Sequence, residues 1–214
     1  CIVSIHIVIK LPPEVDINNL IDDLRILSWE VSDIILYYAQ IIKDSNFKSN
    51  ILKNGNLEDP VTLADLRVNE LIIQRINENY KKINWEILSE ENAKINSTKE
   101  IINKDFVWIL DPLDGTKDFI QGTNHFSVHF ALIYKKKPLI GVVLIPSKNE
   151  LWISNGENVW CENRERFIKS TNLNNIKNLN NMTIVTSKNH RNESLKDLIQ
   201  KFNFKKSIAM GSIG

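Results

Sequence analysis

Three acidic clusters contain the residues best suited to chemistry: Glu90-Glu91, Asp111-Pro112-Leu113-Asp114-Gly115-Thr116, and Asp59-Pro60-Val61-Thr62-Leu63-Ala64-Asp65. In the second, Asp111 precedes a proline and is therefore biased to extended backbone. Asp114 follows a Pro-led turn that can aim both carboxylates at one point, with the Leu113 carbonyl between them. An all-oxygen donor set of this kind suits a hard cation, and Mg²⁺ is the natural occupant, with waters and a phosphate completing its shell. Gly115 and Thr116 then offer backbone N–H groups at the start of a helix, where phosphate is favoured. One short segment can thus hold a metal and a phosphate together.

Each cluster also has a plainer reading. Asp-Pro and Asp-Gly are common turn dipeptides, and an isolated Asp-x-x-Asp is usually a solvated turn. Thr62-x-x-Asp65 is a capping-box pattern, in which the two side chains satisfy backbone N–H groups at a helix start. Glu90-Glu91 alone can be solvated loop charge. The longer string Trp108 to Thr116, arriving after an apolar strand, is far more specific than any of its dipeptides.

The clusters need elements to position them. Leu20, Leu24, Leu27, Val31, Ile34, Tyr38 and Ile41 recur at helical spacing and predict one long amphipathic helix from Asn18 to about Lys43. Ala64, Val68, Leu71, Ile72 and Ile76 predict a second, ending near Tyr80. Trp85 to Leu88 and Phe106 to Leu110 are short β-type runs, each delivering acidic residues at its C-terminal end. Phe126 to Tyr134 alternates, Lys135-Lys136-Lys137-Pro138 turns the chain, and Leu139 to Ile145 returns, followed by strands over 150–154 and 158–161. The polar tract 172–181 marks a boundary. Beyond it, 183–186 reads as a strand, 193–202 as a helix and 207–210 as a strand, the opening of a βαβ unit. The predicted organisation is an N-terminal helix and antiparallel-sheet domain over 1–175, carrying the metal site, and the beginning of a C-terminal α/β domain over 182–214.

Composition excludes several functions. The 214 residues are 43% hydrophobic and 25% charged, as in a folded soluble protein. With 27 basic and 26 acidic residues the net charge is +1, which argues against a binder of nucleic-acid polymers. Cys1 and Cys161, the two cysteines, make neither a disulfide framework nor a zinc site, so a reducing, cytoplasmic setting is expected. The apolar opening from Cys1 to Leu11 is too short to span a bilayer. No Gly-x-Ser-x-Gly elbow supports a serine hydrolase, and no Gly-rich loop with a following Lys supports phosphoryl transfer to an acceptor.

In this order and spacing, the three clusters resemble the inositol-monophosphatase-like superfamily of Mg²⁺-dependent, lithium-sensitive phosphatases. Its pattern is an upstream Asp-x-x-Thr-x-x-Asp, an acidic pair, then Asp-Pro-(Ile/Leu)-Asp-Gly-(Thr/Ser). Asp114 to Ile120 (Asp-Gly-Thr-Lys-Asp-Phe-Ile) looks like the 3′(2′),5′-bisphosphate nucleotidase (CysQ) branch. Thr186-Ser187-Lys188-Asn189-His190 is similar to a Ser/Thr-Arg-Ser-His segment of that branch, with Lys188 and Asn189 in place of Arg and Ser.

The resemblance implies an α+β fold of layered αβαβα type, with long N-terminal helices packed on an antiparallel sheet. It implies Glu90, Asp111, the Leu113 carbonyl and Asp114 as ligands for two or three Mg²⁺, with Asp114 bridging and Glu91 behind them. Asp65 and Thr116 would activate the attacking water, and the Gly115 and Thr116 amides would hold phosphate oxygens. Ser187, His190 and Gly211 would contact the substrate. That substrate would be a small phosphomonoester: adenosine 3′,5′-bisphosphate or its sulfated form, with inositol monophosphate as the alternative. Inhibition by Li⁺ is implied, and a homodimer is common in the family. One further metal ligand, an Asp in a Trp-Asp segment, would lie beyond Gly214. The expectation is therefore a partial sequence of a working phosphatase, with an inactive metal- and phosphate-binding remnant as the contrasting reading.

Overall fold

The computed structural model describes residues 11–43, 62–93, 104–169, 178–188 and 193–211. Cys1, the segment Asp59-Pro60-Val61, His190 and most of the polar tract before Asn178 lie outside them.

Helix α1 (Ile17–Lys43) begins where the Asp16 carboxylate accepts hydrogen bonds from the Asn18 and Asn19 amides, at 3.0 and 2.9 Å. Those amides have no partner within the helix, so an acidic residue just ahead of it satisfies them. Its buried side chains include Leu20, Leu24, Leu27, Val31 and Ile35, close to the face the spacing predicts. Helix α2 (Leu63–Asn79) buries Ala64, Val68, Ile72 and Ile76. Two polar clamps join the helices: the Tyr80 hydroxyl donates to Asp23 at 2.7 Å, and Arg75 grips Glu30 with two bonds of 3.1 Å.

Both helices pack on a seven-stranded sheet in sequential order: β1 (Glu86–Ser89), β2 (Phe106–Asp114), β3 (Ser127–Tyr134), β4 (Lys137–Ile145), β5 (Glu150–Ser154), β6 (Val159–Glu162) and β7 (Ile168–Lys169). From β2 onwards every pairing is antiparallel, as the alternation and turns predict. The exception is β1, which runs parallel to β2, so the sheet is mixed. Trp108, Leu110, Val128, Phe130, Leu132 and Leu144 enter the core that the helices cover. Side chains on the intervening positions, Ile109, Asp111 and His129 among them, point to the other face.

Two short helical turns interrupt the sheet, α3 (Glu90–Ala93) after β1 and α4 (Thr116–Ile120) after β2. After residue 178 the chain forms β8 (Thr183–Ser187), α5 (Glu193–Lys201) and β9 (Lys206–Met210), with β8 and β9 parallel in a separate two-stranded sheet. This is the βαβ unit expected from the sequence. Among the described residues no helix is long and apolar enough to cross a membrane.

Candidate metal and phosphate site

The parallel pairing of β1 and β2 does most to assemble the acidic residues. Its last matched pair is Ser89 with Leu110, so Glu90 and Asp111 leave the ladder side by side at the same end. An antiparallel pairing would have sent them to opposite ends. Glu90 is exposed at the first position of α3, whose turn is held by a 3.1 Å bond from the Asn92 amide to the buried Ser89 hydroxyl.

The segment Asp111 to Asp114 remains paired with β3 but is irregular. Asp111 pairs with His129 and Asp114 with Ser127, with a register shift between them. The Leu113 amide donates to Asp111 Oδ1 at 3.2 Å, closing the turn over Pro112 and fixing the carboxylate. Gly115 has φ +87°, a left-handed conformation that a side chain resists, and from it the chain enters α4.

Asp65 approaches from the start of α2. Thr62 and Asp65 form the reciprocal capping box: the Ala64 amide donates to the Thr62 hydroxyl oxygen at 3.1 Å, and the Thr62 amide donates to Asp65 Oδ2 at 2.9 Å. The Thr62 hydroxyl donates to the same Oδ2. The other oxygen, Oδ1, is 3.2 Å from the Thr116 hydroxyl, which is also 2.9 Å from the Leu113 carbonyl. Capping and site-facing contacts therefore use different oxygens of one carboxylate, and the two readings of Asp65 are compatible.

The electrostatics are those of crowded acids. Burial, then the charges of Glu90 and Asp114, push the Asp111 carboxyl up to about 7; the Leu113 amide pulls it down, and Asp65 adds a smaller upward push. Burial also holds Asp65 above the usual carboxylate range, against the hydrogen bonds from Thr62 and Thr116. A cation beside Asp111 would offset the neighbouring negative charges, and the all-oxygen chemistry of these residues fits Mg²⁺. The Leu113 carbonyl retains a second lone pair beside the bond from Thr116. Among the described residues no three His, Cys, Asp or Glu side chains already converge as a closed metal-binding group. A cation at Asp111 and Asp114 would have to draw in the exposed Glu90.

The substrate-side residues are placed in part. Ser187 ends β8 opposite Met210, and the Lys188 amide donates to the Met210 carbonyl at 2.8 Å. Lys188 Nζ is 3.9 Å from Oδ1 of Asp118, a buried acid on α4, so this end of the second sheet lies beside the turn bearing Thr116. Gly211 packs against the same carboxylate: a Cβ there would sit 1.8 Å from Asp118 Oδ2. Position 211 is thus closed to any side chain unless Asp118 moves.

Three further polar residues, none of them a candidate site residue from the sequence, lie near the site. Asp118, inside the string Asp114 to Ile120, is buried and accepts a 3.0 Å bond from Thr123. Ser127 and His129 lie in an otherwise apolar strand with no motif to mark them. Ser127 Oγ is 2.9 Å from His129 Nε2 and 3.4 Å from Asp114 Oδ2. Their places opposite Asp114 and Asp111 follow from antiparallel pairing, a signal the sequence held once β2 and β3 were aligned.

Two helices over a mixed sheet, followed by a βαβ unit, define the layered αβαβα class. The inositol monophosphatase family model matches residues 23–214, and the chain belongs to that family. It is 31% identical over 153 residues to the 3′(2′),5′-bisphosphate nucleotidase CysQ of Buchnera aphidicola, which covers 72% of this chain and 55% of that relative. The fold is similar to an IMPase of Thermotoga maritima, with a TM-score of 0.68 at 20% identity, covering 91% of this chain and 69% of the other. It is similar also to CysQ of Bacteroides thetaiotaomicron, with a TM-score of 0.65 at 22% identity, covering 90% and 73%. The CysQ relatives from Buchnera, Shigella and Salmonella are matched over 55%, 59% and 60% of their length, so the chain spans little more than half of each.

Proposed function

We propose that this chain carries the first metal cluster and the water-activating residues of a Mg²⁺-dependent phosphomonoesterase. The observation that carries the reading is that Glu90 and Asp111 leave the parallel β1–β2 ladder side by side, with Asp114 on the following turn and the Asp65–Thr116 contact next to it; burial, then the charges of Glu90 and Asp114, raise Asp111. Glu90, Asp111, the Leu113 carbonyl and Asp114 would hold the metal. Bound there, Mg²⁺ supplies charge stabilisation to the phosphoryl group and acidity to water.

The remaining work falls to the chain. With the Leu113 carbonyl turned to the metal, the single Thr116 hydroxyl proton would go to Asp65 Oδ1, and the threonine oxygen would accept a hydrogen bond from the attacking water. The water's proton would pass to Thr116 Oγ as the Thr116 hydroxyl proton moves to Asp65 Oδ1, and burial makes that carboxylate a stronger base than a free one. The Gly115 and Thr116 amides would bind phosphate oxygens. Transfer is direct to water, and no covalent phosphoenzyme is needed.

The preferred substrate is the 3′-phosphate of adenosine 3′,5′-bisphosphate or its sulfated form. The resemblance of Asp114 to Ile120 to the nucleotidase branch and the 31% identity to a CysQ relative support this choice. Inositol monophosphate is the second reading, favoured by the family match and by the IMPase fold neighbour. Phosphate release from both substrates, with Mg²⁺ and with added Li⁺, is the test. Release from the nucleotide at least tenfold faster supports the first reading. Faster release from inositol monophosphate supports the second, and no Mg²⁺-dependent release from either defeats both.

A further inference from the structure

Ser127 and His129 form a polar pair on a strand whose other face is wholly apolar. Val128, Phe130 and Leu132 are at most 1% exposed and lie beneath the helices, which explains them as core. Core packing does not explain the pair. Ser127 is itself 1% exposed, and His129 is half-buried. The antiparallel register of β2 and β3 sets them directly across from Asp114 and Asp111. The Ser127 hydroxyl lies between two polar groups, His129 Nε2 at 2.9 Å and Asp114 Oδ2 at 3.4 Å, while the imidazole stands 3.9 Å from the same Oδ2.

A hydroxyl has one proton to give and two lone pairs to accept with. An ionised carboxylate is a stronger acceptor than a neutral imidazole nitrogen. The Ser127 proton therefore goes to Asp114, and the serine oxygen accepts from His129 Nε2–H. The result is a one-way chain of donors, His129 to Ser127 to Asp114, ending on one oxygen of the carboxylate.

We propose that Ser127 and His129 are positioning residues for Asp114, holding Oδ2 so that Oδ1 is turned towards the cation. This rests on the reading of Asp114 as a metal ligand. Partners of this kind, one step behind a ligand, commonly change metal affinity ten- to a hundredfold when removed.

The test is calorimetric binding of Mn²⁺ and Mg²⁺ to the full chain and to S127A, H129A, H129Q, S127A/H129A and D114N, each first shown to unfold cooperatively. S127A is expected to weaken binding ten- to a hundredfold, and H129A to weaken it by less. H129Q should return affinity to within about threefold of wild type, because its amide N–H can replace that of Nε2. The double variant should bind no worse than S127A, since His129 acts through Ser127. S127A binding within twofold of wild type, while D114N loses the metal, overturns the relay and leaves the metal site standing. D114N binding like wild type overturns the assignment of Asp114 and the relay with it. Rescue by H129Q is the readout that a merely structural histidine would not give.

Discussion

The Thr116 hydroxyl lies 3.2 Å from Oδ1 of Asp65, a residue 51 positions earlier in the chain, while Thr62 occupies Oδ2 of the same carboxylate. This places the start of α2 against the start of α4 through a single side chain. Helix capping and site geometry are therefore coupled: a change that loosens the cap also releases the group facing Thr116. Because the cap uses Oδ2 and the site contact Oδ1, substitutions at the two ends of Asp65 should still weight stability and activity differently.

Asp65→Asn keeps an oxygen to accept from Thr62 but removes the charge. It is expected to leave the thermal midpoint within a few degrees of wild type and to lower phosphate release by about 10²–10⁴-fold, the usual weight of a positioned base. Thr62→Ala should do the reverse, costing about 1 kcal/mol of stability through the lost cap with a smaller effect on turnover. Thermal unfolding and initial rates on both variants check this. A destabilised but fully active D65N would leave Asp65 with the capping role alone.

Asp114→Asn is expected to abolish Mg²⁺-dependent phosphate release while the protein stays folded. Removing this charge relieves one of the repulsions on Asp111, so the metal-free variant should be no less stable than wild type. Circular dichroism with rate measurements checks both halves. Near wild-type turnover in D114N would refute the metal assignment.

Much of this was legible in the sequence because local pattern and tertiary role agree. The spacing of Leu20 to Ile41 predicts α1, which spans Ile17–Lys43, and the alternation of Phe126 to Tyr134 predicts β3. Asp111, Asp114 and Thr116 could be picked out because Pro112 and Gly115 mark the turn between them. What could not be read depends on pairing. Nothing local to Glu86–Ser89 says whether it runs parallel or antiparallel to β2, yet that choice sets Glu90 beside Asp111. Ser127 and His129 look like ordinary outward positions of a strand until the antiparallel register sets them against Asp114 and Asp111. Gly211 likewise has no local reason to be glycine, and its reason is the carboxylate of Asp118 across the junction.

Arg25 on α1 and Glu162 at the end of β6 form the ion pair that ties the first helix to the far side of the sheet. The guanidinium donates through Nε to one carboxylate oxygen and through Nη2 to the other, the latter at 3.1 Å, and the Trp160 indole donates to that second oxygen at 3.2 Å. Glu162 is 3% exposed, so a missing partner leaves a buried charge uncompensated. Arg25→Met should cost about 3–5 kcal/mol, while Arg25→Met with Glu162→Leu should recover most of it, because a packed apolar pair replaces both charges. Urea midpoints at constant slope measure the difference. Equal loss in the single and double variants would mean that packing by the Arg25 stem, not the pair, holds the helix.

Asp111 makes the metal-free protein and the metal complex respond to pH in opposite directions. Its carboxyl is pushed up to about 7 in the fold from the ordinary 3.8. Between those values the folded state holds a proton that the unfolded chain has lost, so the slope of stability against pH is negative there. Without metal, the Asp111 contribution is present below about pH 4 and is lost as pH rises towards 7. Thermal midpoints in chelator should therefore fall from pH 5 to pH 8, and Asp111→Asn should flatten that fall. Mg²⁺ needs the ionised form, so its affinity should rise over the same window and level off above about pH 7, with protons released on binding below it. Titrations at pH 6 in two buffers of different ionisation enthalpy count those protons. Binding that releases none at pH 6, and does not tighten from pH 6 to 8, would place the cation away from Asp111.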